Sequence, residues 1–250
     1  MASKRFGLLI IGDEILSAKR QDRHLANLND LLKPRGLALS WAHIIGDEGG
    51  LLVDTLTRTF ASGDVVFCCG GIGATPDDRT RQSAAQALGL PLVRHPQAVA
   101  EIEAQFAEAA YPQRIRMAEY PQGADIIPNP FNRVPGFSIR EHYFMPGFPQ
   151  MSQPMMDWVL STYYADVPPR LQIEKALRLI DAQESDWVAF MERFEQHFPS
   201  LRLFSLPHIA VDGRRTIELG VEGEAALVVQ GYQVLLDEVK RRGDAWEAMS

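Results

Sequence analysis

The run from Asp64 to Thr80, D-V-V-F-C-C-G-G-I-G-A-T-P-D-D-R-T, constrains the fold more than any other stretch. Val65 to Cys69 is a short, continuous apolar run of β-branched and aromatic character, the pattern of a buried strand in a parallel sheet. Gly70, Gly71 and Gly73 follow, and then a helix start is predicted with Thr75 as N-cap, Pro76 at the first helical position and Asp77 and Asp78 in the first turn. Strand, glycine loop and helix N-terminus together form a phosphate cradle, because backbone N–H groups and the positive end of the helix dipole face one concavity. Such loops usually end in lysine. This one ends in two aspartates, and the pattern leaves two readings open. Asp77 and Asp78 are either first-turn carboxylates that favour the helix dipole, or groups that hold a divalent cation or move a proton beside a bound phosphate.

With 250 residues, the chain suits one large domain or a medium domain with a small one. The net charge of −7 and the lack of a dense basic cluster argue against a nucleic-acid partner. The apolar run Phe6 to Ile11 ends in Gly-Asp-Glu and is too short for a signal-peptide core or a membrane span, so the chain reads as cytoplasmic. Cys68 and Cys69 are adjacent in a predicted core strand and read as small buried hydrophobes.

Strands and amphipathic helices alternate through the first half. Phe6 to Ile11 is a strand, a helix over 22–33 carries Leu25, Leu28, Leu31 and Leu32 on one face, Leu37 to Ile45 is a second strand, and Leu52, Leu56 and Phe60 mark a further helix. This predicts an α/β fold, a Rossmann-like three-layer α/β/α arrangement with a mostly parallel sheet. Its ligand crevice would lie at the carboxyl ends of the strands, where the turns Asp13-Glu14, Asp47-Glu48 and the glycine loop converge. From Tyr111 to Gly147 the chain is rich in proline and glycine and reads as binding loops with short strands at Ile126-Ile127 and Phe137–Ile139. A helix over 150–163 follows Pro146-Gly147. Pro168-Pro169 reads as a boundary between a domain over 1–167 and a small C-terminal α+β subdomain over 168–250, with Trp187, Phe190, Met191, Phe194 and Phe198 as an inward stripe.

At Gly12-Asp13-Glu14-Ile15-Leu16, Gly46-Asp47, Gly70 to Thr80, Asn129-Pro130, Pro135-Gly136-Phe137 and Met145 to Pro149, the chain resembles the molybdopterin-binding (MoaB/Mog-like) domain family. Within that family it is similar to the N-terminal module of the competence/damage-inducible CinA-type proteins, over about the first 165 residues. The tail resembles the small α+β subdomain that follows in those proteins. The sequence then stops at Ser250, so the nicotinamide mononucleotide deamidase activity of fused members is not expected.

The resemblance implies a commonly oligomeric Rossmann-like protein with a small-molecule ligand, a pterin or a nucleotide, at the glycine loop. In the molybdenum-cofactor branch the ligand is molybdopterin, which is adenylylated. In the CinA branch the same pocket is associated with metal-dependent cleavage of the ADP-ribose pyrophosphate, and related domains cleave FAD. Carried over, Asp47 and Asp78 are the catalytic and metal-binding residues for Mg²⁺ or a similar ion. Gly70, Gly71, Gly73, Thr75, Asp13, Glu14, Asp22, Arg23, Pro146 and Gly147 are the ligand-contacting set. Two departures stand out. Ala74 replaces a usual proline, and Arg23-His24 replaces the Thr-Asn that normally follows the aspartate at Asp22. Arg23 would add a phosphate contact, whereas His24 reads more readily as part of a solvated helix N-terminus.

Overall fold

In the computed structural model, which describes residues 4–167, 172–210 and 213–249, Phe6–Ile11 (β1) lies between two parallel neighbours. The chain then forms α1 (Asp13–Leu16), α2 (His24–Leu32), β2 (Leu39–Ile45), α3 (Gly49–Ser62) and β3 (Val65–Cys69). After the glycine loop come α4 (Thr80–Leu88), β4 (Leu92–Arg94), α5 (Pro96–Phe106), β5 (Glu119–Pro121), β6 (Asp125–Ile127), β7 (Gly136–Ile139), β8 (His142–Met145) and α6 (Pro149–Tyr163). The sheet order is β2-β1-β3-β8-β7-β6. β2, β1, β3 and β8 run parallel, and β7 and β6 add an antiparallel edge. β4 and β5 pair separately as a two-stranded ribbon.

Alternation along β1 and β3 builds both interiors. Leu9, Ile11, Val66 and Cys68 face one layer with Leu52 and Leu56 of α3, Ala84 of α4 and Ile102 of α5. Phe6, Leu8, Ile10, Phe67 and Cys69 face the other, with Leu28 and Leu32 of α2 and Met155, Val159 and Leu160 of α6. A strand buried on both faces must be apolar throughout, which is why F-G-L-L-I-I and V-V-F-C-C carry no polar alternation. The three-layer α/β/α arrangement with a mostly parallel sheet is therefore as expected. Cys68 and Cys69 are free, fully buried thiols, and burial pushes both well above their ordinary pKa.

β8 was not expected. H-Y-F-M is only four residues long and sits between proline- and glycine-rich turns, yet it is the fourth parallel strand and hydrogen-bonds directly beside β3. The stretch Tyr111 to Gly147 is thus partly core: Tyr120, Phe137 and Phe144 stack in series, with centroids 4.7 and 4.4 Å apart.

The chain divides into two compact units, Met1–Pro168 and Pro169–Ser250. The Pro168-Pro169 pair itself lies outside the described residues. The second unit holds β9 (Gln172–Ile180), α7 (Val188–His197), β10 (Arg202–Ile209), β11 (Arg215–Glu224), α8 (Ala225–Arg242) and β12 (Trp246–Ala248). Its sheet, β10-β11-β9-β12, is antiparallel at each pairing. Trp187, Phe190 and Phe194 pack with Leu177, Leu219, Val221 and Leu235, so the aromatic stripe is core as expected.

Candidate functional site

The glycine loop begins where β3 ends. Gly70 and Gly71 adopt φ of 115° and 67°, and a Cβ would lie 2.0 Å from the Ile11 carbonyl oxygen at Gly70 and 2.2 Å from Thr80 Oγ1 at Gly71. Both positions need glycine, for backbone conformation and for room. Thr80 closes the loop from the far side. Its amide donates to the Gly71 carbonyl at 3.0 Å and its hydroxyl to the Gly70 carbonyl at 3.0 Å.

The helix start differs from expectation. α4 begins at Thr80, not after Thr75, and residues 75–78 form a turn in which the Asp78 amide donates to the Thr75 carbonyl at 3.1 Å. The cap is reversed: Thr75 donates its amide (2.9 Å) and its hydroxyl to Asp78 Oδ2. Asp77 and Asp78 therefore lie outside the helix, and the first-turn reading of both falls away. Thr75 lines the cavity but has committed its amide and hydroxyl to Asp78. That carboxylate lies directly over Gly73, where a Cβ would meet Oδ2 at 2.4 Å. The Asp77 carboxyl, in the same turn, is held below its usual range by local hydrogen bonds.

The two neighbouring loops are stitched together. The Asp13 amide donates to Asp47 Oδ2 at 3.0 Å, and the Asp47 amide donates to Asp13 Oδ1 at 3.3 Å. Burial raises the Asp47 carboxyl, and the negative charges of Asp13, Glu14 and Asp77 push it the same way against the hydrogen bond from the Asp13 amide. Glu48 caps α3 instead, accepting from Gly50 and Leu51.

These loops surround a cavity of about 450 Å³. Gly70, Gly71 and Gly73 line it with backbone, and Glu14, Asp47, Asp77 and Asp78 with carboxylates. Phe106, Met117, Val134, Phe148 and Met151 supply an apolar wall. Of the expected ligand-contacting residues, Glu14, Gly70, Gly71, Gly73, Thr75, Pro146 and Gly147 line this space, as do Asp47 and Asp78. Asp13 does not line it and instead positions Asp47.

Asp22 and Arg23 are not lining residues either. Asp22 accepts from the His24 and Leu25 amides and pairs with His24 Nδ1 at 2.8 Å. Burial pushes its carboxyl up, but those hydrogen bonds outweigh burial and hold it below its ordinary value. Nor is His24 solvated; it is 2% exposed and packed against the aspartate that caps its helix.

Two arginines escaped the sequence reading. Arg20 lies in the polar connection after α1 and lines the cavity. Arg81 is 1% exposed and clamps the loop from behind, donating to the Gly73 carbonyl at 2.7 Å, to the Glu119 carbonyl at 3.3 Å and to the Arg116 carbonyl. Neither carries a local signal, since one is an exposed cation in a polar run and the other sits inside a helix.

Among the described residues no group of three or more His, Cys, Asp or Glu side chains converges as a metal-binding cluster. The carboxylates that face the cavity fit at most a cation whose coordination is completed by a ligand's oxygens.

The family profile described as "Probable molybdopterin binding domain" matches residues 7–166, and the chain belongs to that family. Its relatives narrow the branch. A CinA-like protein of Anaeromyxobacter sp. (strain Fw109-5) is 30% identical over 83% of this chain and 56% of its own length. A CinA-like protein of Citrifermentans bemidjiense is 33% identical over 61% of this chain and 39% of its own. The chain thus spans about half the length of the curated relatives it matches. Among solved structures, CinA of Thermoplasma acidophilum, described as having unknown function, is similar with a TM-score of 0.57 at 25% identity, over 66% of this chain and 98% of that one. No described helix is long and apolar enough to cross a membrane.

Proposed function

We propose that the first unit binds a ligand bearing a phosphate and a flat heterocycle, and that it hydrolyses a nucleotide pyrophosphate of the ADP-ribose or FAD type with a divalent cation. One observation carries this reading: a single cavity joins the backbone of Gly70–Gly73, four carboxylates and an apolar wall. The amides of Gly71 and Gly73 would stabilise charge on phosphoryl oxygens. The apolar wall of Phe106, Met117, Val134, Phe148 and Met151 suits the face of an aromatic ring.

Asp47 and Asp78 are the residues that would hold the cation, with Asp13 fixing the Asp47 carboxylate through its amide. Mg²⁺ is normally held by one or two carboxylates together with substrate phosphates, not by an all-protein cage, so the missing third ligand does not disqualify the pair. The mutual repulsion that resists ionisation of Asp47 is relieved when a cation enters the same field. When bound, the ion would neutralise the pyrophosphate charge and orient a water.

A second reading is non-hydrolytic molybdopterin binding in molybdenum-cofactor biosynthesis. The contact that favours it is the one between Asp78 and Thr75, which ties up this carboxylate in the free protein.

Incubation of the protein with ADP-ribose, FAD and NADH, with and without Mg²⁺, Mn²⁺ or Co²⁺, separates the two. Metal-dependent release of AMP, lost in an Asp78→Ala variant that still folds, is the expected result. Binding of a pterin phosphate with no AMP from any substrate would leave the second reading in place.

A further inference from the structure

We propose that Arg20 is the residue that selects a phosphorylated ligand, by covering the anion from the β8 side of the cavity; this rests on the reading of the cavity as a phosphate site. Among the residues lining the cavity, Arg20 is the only cation, while four carboxylates line the same space. It forms no ion pair with any of those four among the described residues, although salt bridges occur elsewhere on the surface. Its guanidinium instead lies 6.0 Å from the centroid of the Phe148 ring, a cation–π arrangement that leaves its N–H donors for a ligand.

The topology sets one of the acids, Asp47, apart from the cation. Asp47 follows β2 and Phe148 follows β8, and these strands are three positions apart in the order β2-β1-β3-β8. Three inter-strand spacings amount to about 14 Å. Asp77 and Asp78 follow β3, the neighbour of β8, so Asp47 is the carboxylate set three strands away. Arg20 reaches its position because residues 17–20 fold back. Ala18 takes a positive φ of 54°, and the Arg20 amide donates to the Glu14 carbonyl at 3.0 Å.

The loops after β3 and β8 pack backbone on backbone. A Cβ on Gly147 would lie 3.3 Å from the Gly70 Cα, and the Gly70 amide donates to the Met145 carbonyl at 3.0 Å. Guanidinium recognises phosphate oxygens through paired N–H donors, which an ammonium cannot reproduce. The expected ligand therefore places a phosphate between Arg20 and the glycine loop and leaves Asp47 to the cation.

The test is titration calorimetry of the full chain with AMP, ADP-ribose and adenosine, using Arg20→Gln, Arg20→Lys and, as a matched surface control, Arg23→Gln. Arg20→Gln is expected to weaken AMP and ADP-ribose at least tenfold and to leave adenosine within twofold. Arg20→Lys should recover only part of the loss, and Arg23→Gln should match the wild type. Because Arg20 is exposed, these variants are expected to keep the wild-type Tm, measured on the same samples. Equal affinity of Arg20→Gln and wild type for AMP overturns the assignment. So does an equal loss in Arg20→Gln and Arg23→Gln, which would reflect net charge alone. A wild type that binds neither AMP nor ADP-ribose overturns the phosphate-site reading itself, and this assignment with it.

Discussion

Asp47 is held in a state that is unfavourable to the folded chain. Burial and the charges of Asp13, Glu14 and Asp77 raise its pKa, so ionising it costs more in the fold than in the unfolded chain. The sign follows. The penalty is fully present above the raised pKa and disappears as pH falls through it toward the ordinary value of 3.8. Asp47→Asn keeps an oxygen to accept from the Asp13 amide and removes the charge. It should therefore melt about 1–2 °C above wild type at pH 7, the rise expected for a partly screened gain below about 1 kcal/mol in a chain of this length. The difference should vanish near pH 3, and AMP release should be lost at every pH. Thermal scans across pH check this; a variant less stable than wild type at pH 7 would show that Asp47 is structural.

At the scale of elements, the loop is held by what packs behind it. Arg81 on α4 ties the Gly73 carbonyl to the carbonyls of Arg116 and Glu119, joining the glycine loop to β5 and the 3₁₀ turn Arg114–Ala118 before it. Removing the guanidinium leaves three acceptors short of a donor in a closed space. Arg81→Leu should cost about 2–4 kcal/mol in urea unfolding, with Arg81→Lys recovering a part. A loss under 1 kcal/mol would mean water replaces the clamp.

The sequence misplaced this element for a related reason. T-P-D-D has the composition of a capped helix start, and composition does not tell which side chain caps which amide. Here the Asp78 carboxylate reaches back to Thr75, and the helix waits until Thr80 can tie itself to Gly70 and Gly71. β8 was hidden because four residues are too few to show a period. Arg20 was hidden because only the fold of the preceding loop aims it at the cavity.

For the whole molecule, the glycine loop, the two acidic turns and the alternation of strands and helices were enough to place the crevice, because a parallel sheet puts consecutive loops at one edge. Residues far apart in the chain, such as Phe106, Met117 and Met151, reach the same cavity only through tertiary packing, and their local patterns carry no trace of it. All of the cavity lies within the first unit, while the second unit has its own antiparallel sheet and aromatic core. The proposed function rests on Gly70–Gly73 acting as an anion cup worked by the acids at its rim. A crystal structure of the protein with AMP and Mg²⁺ tests it most directly. The phosphate is expected within hydrogen-bond reach of the Gly71 and Gly73 amides, with Asp47 and Asp78 turned toward the cation. AMP bound elsewhere, or a loop still covered by Asp78 with AMP present at saturation, would contradict it.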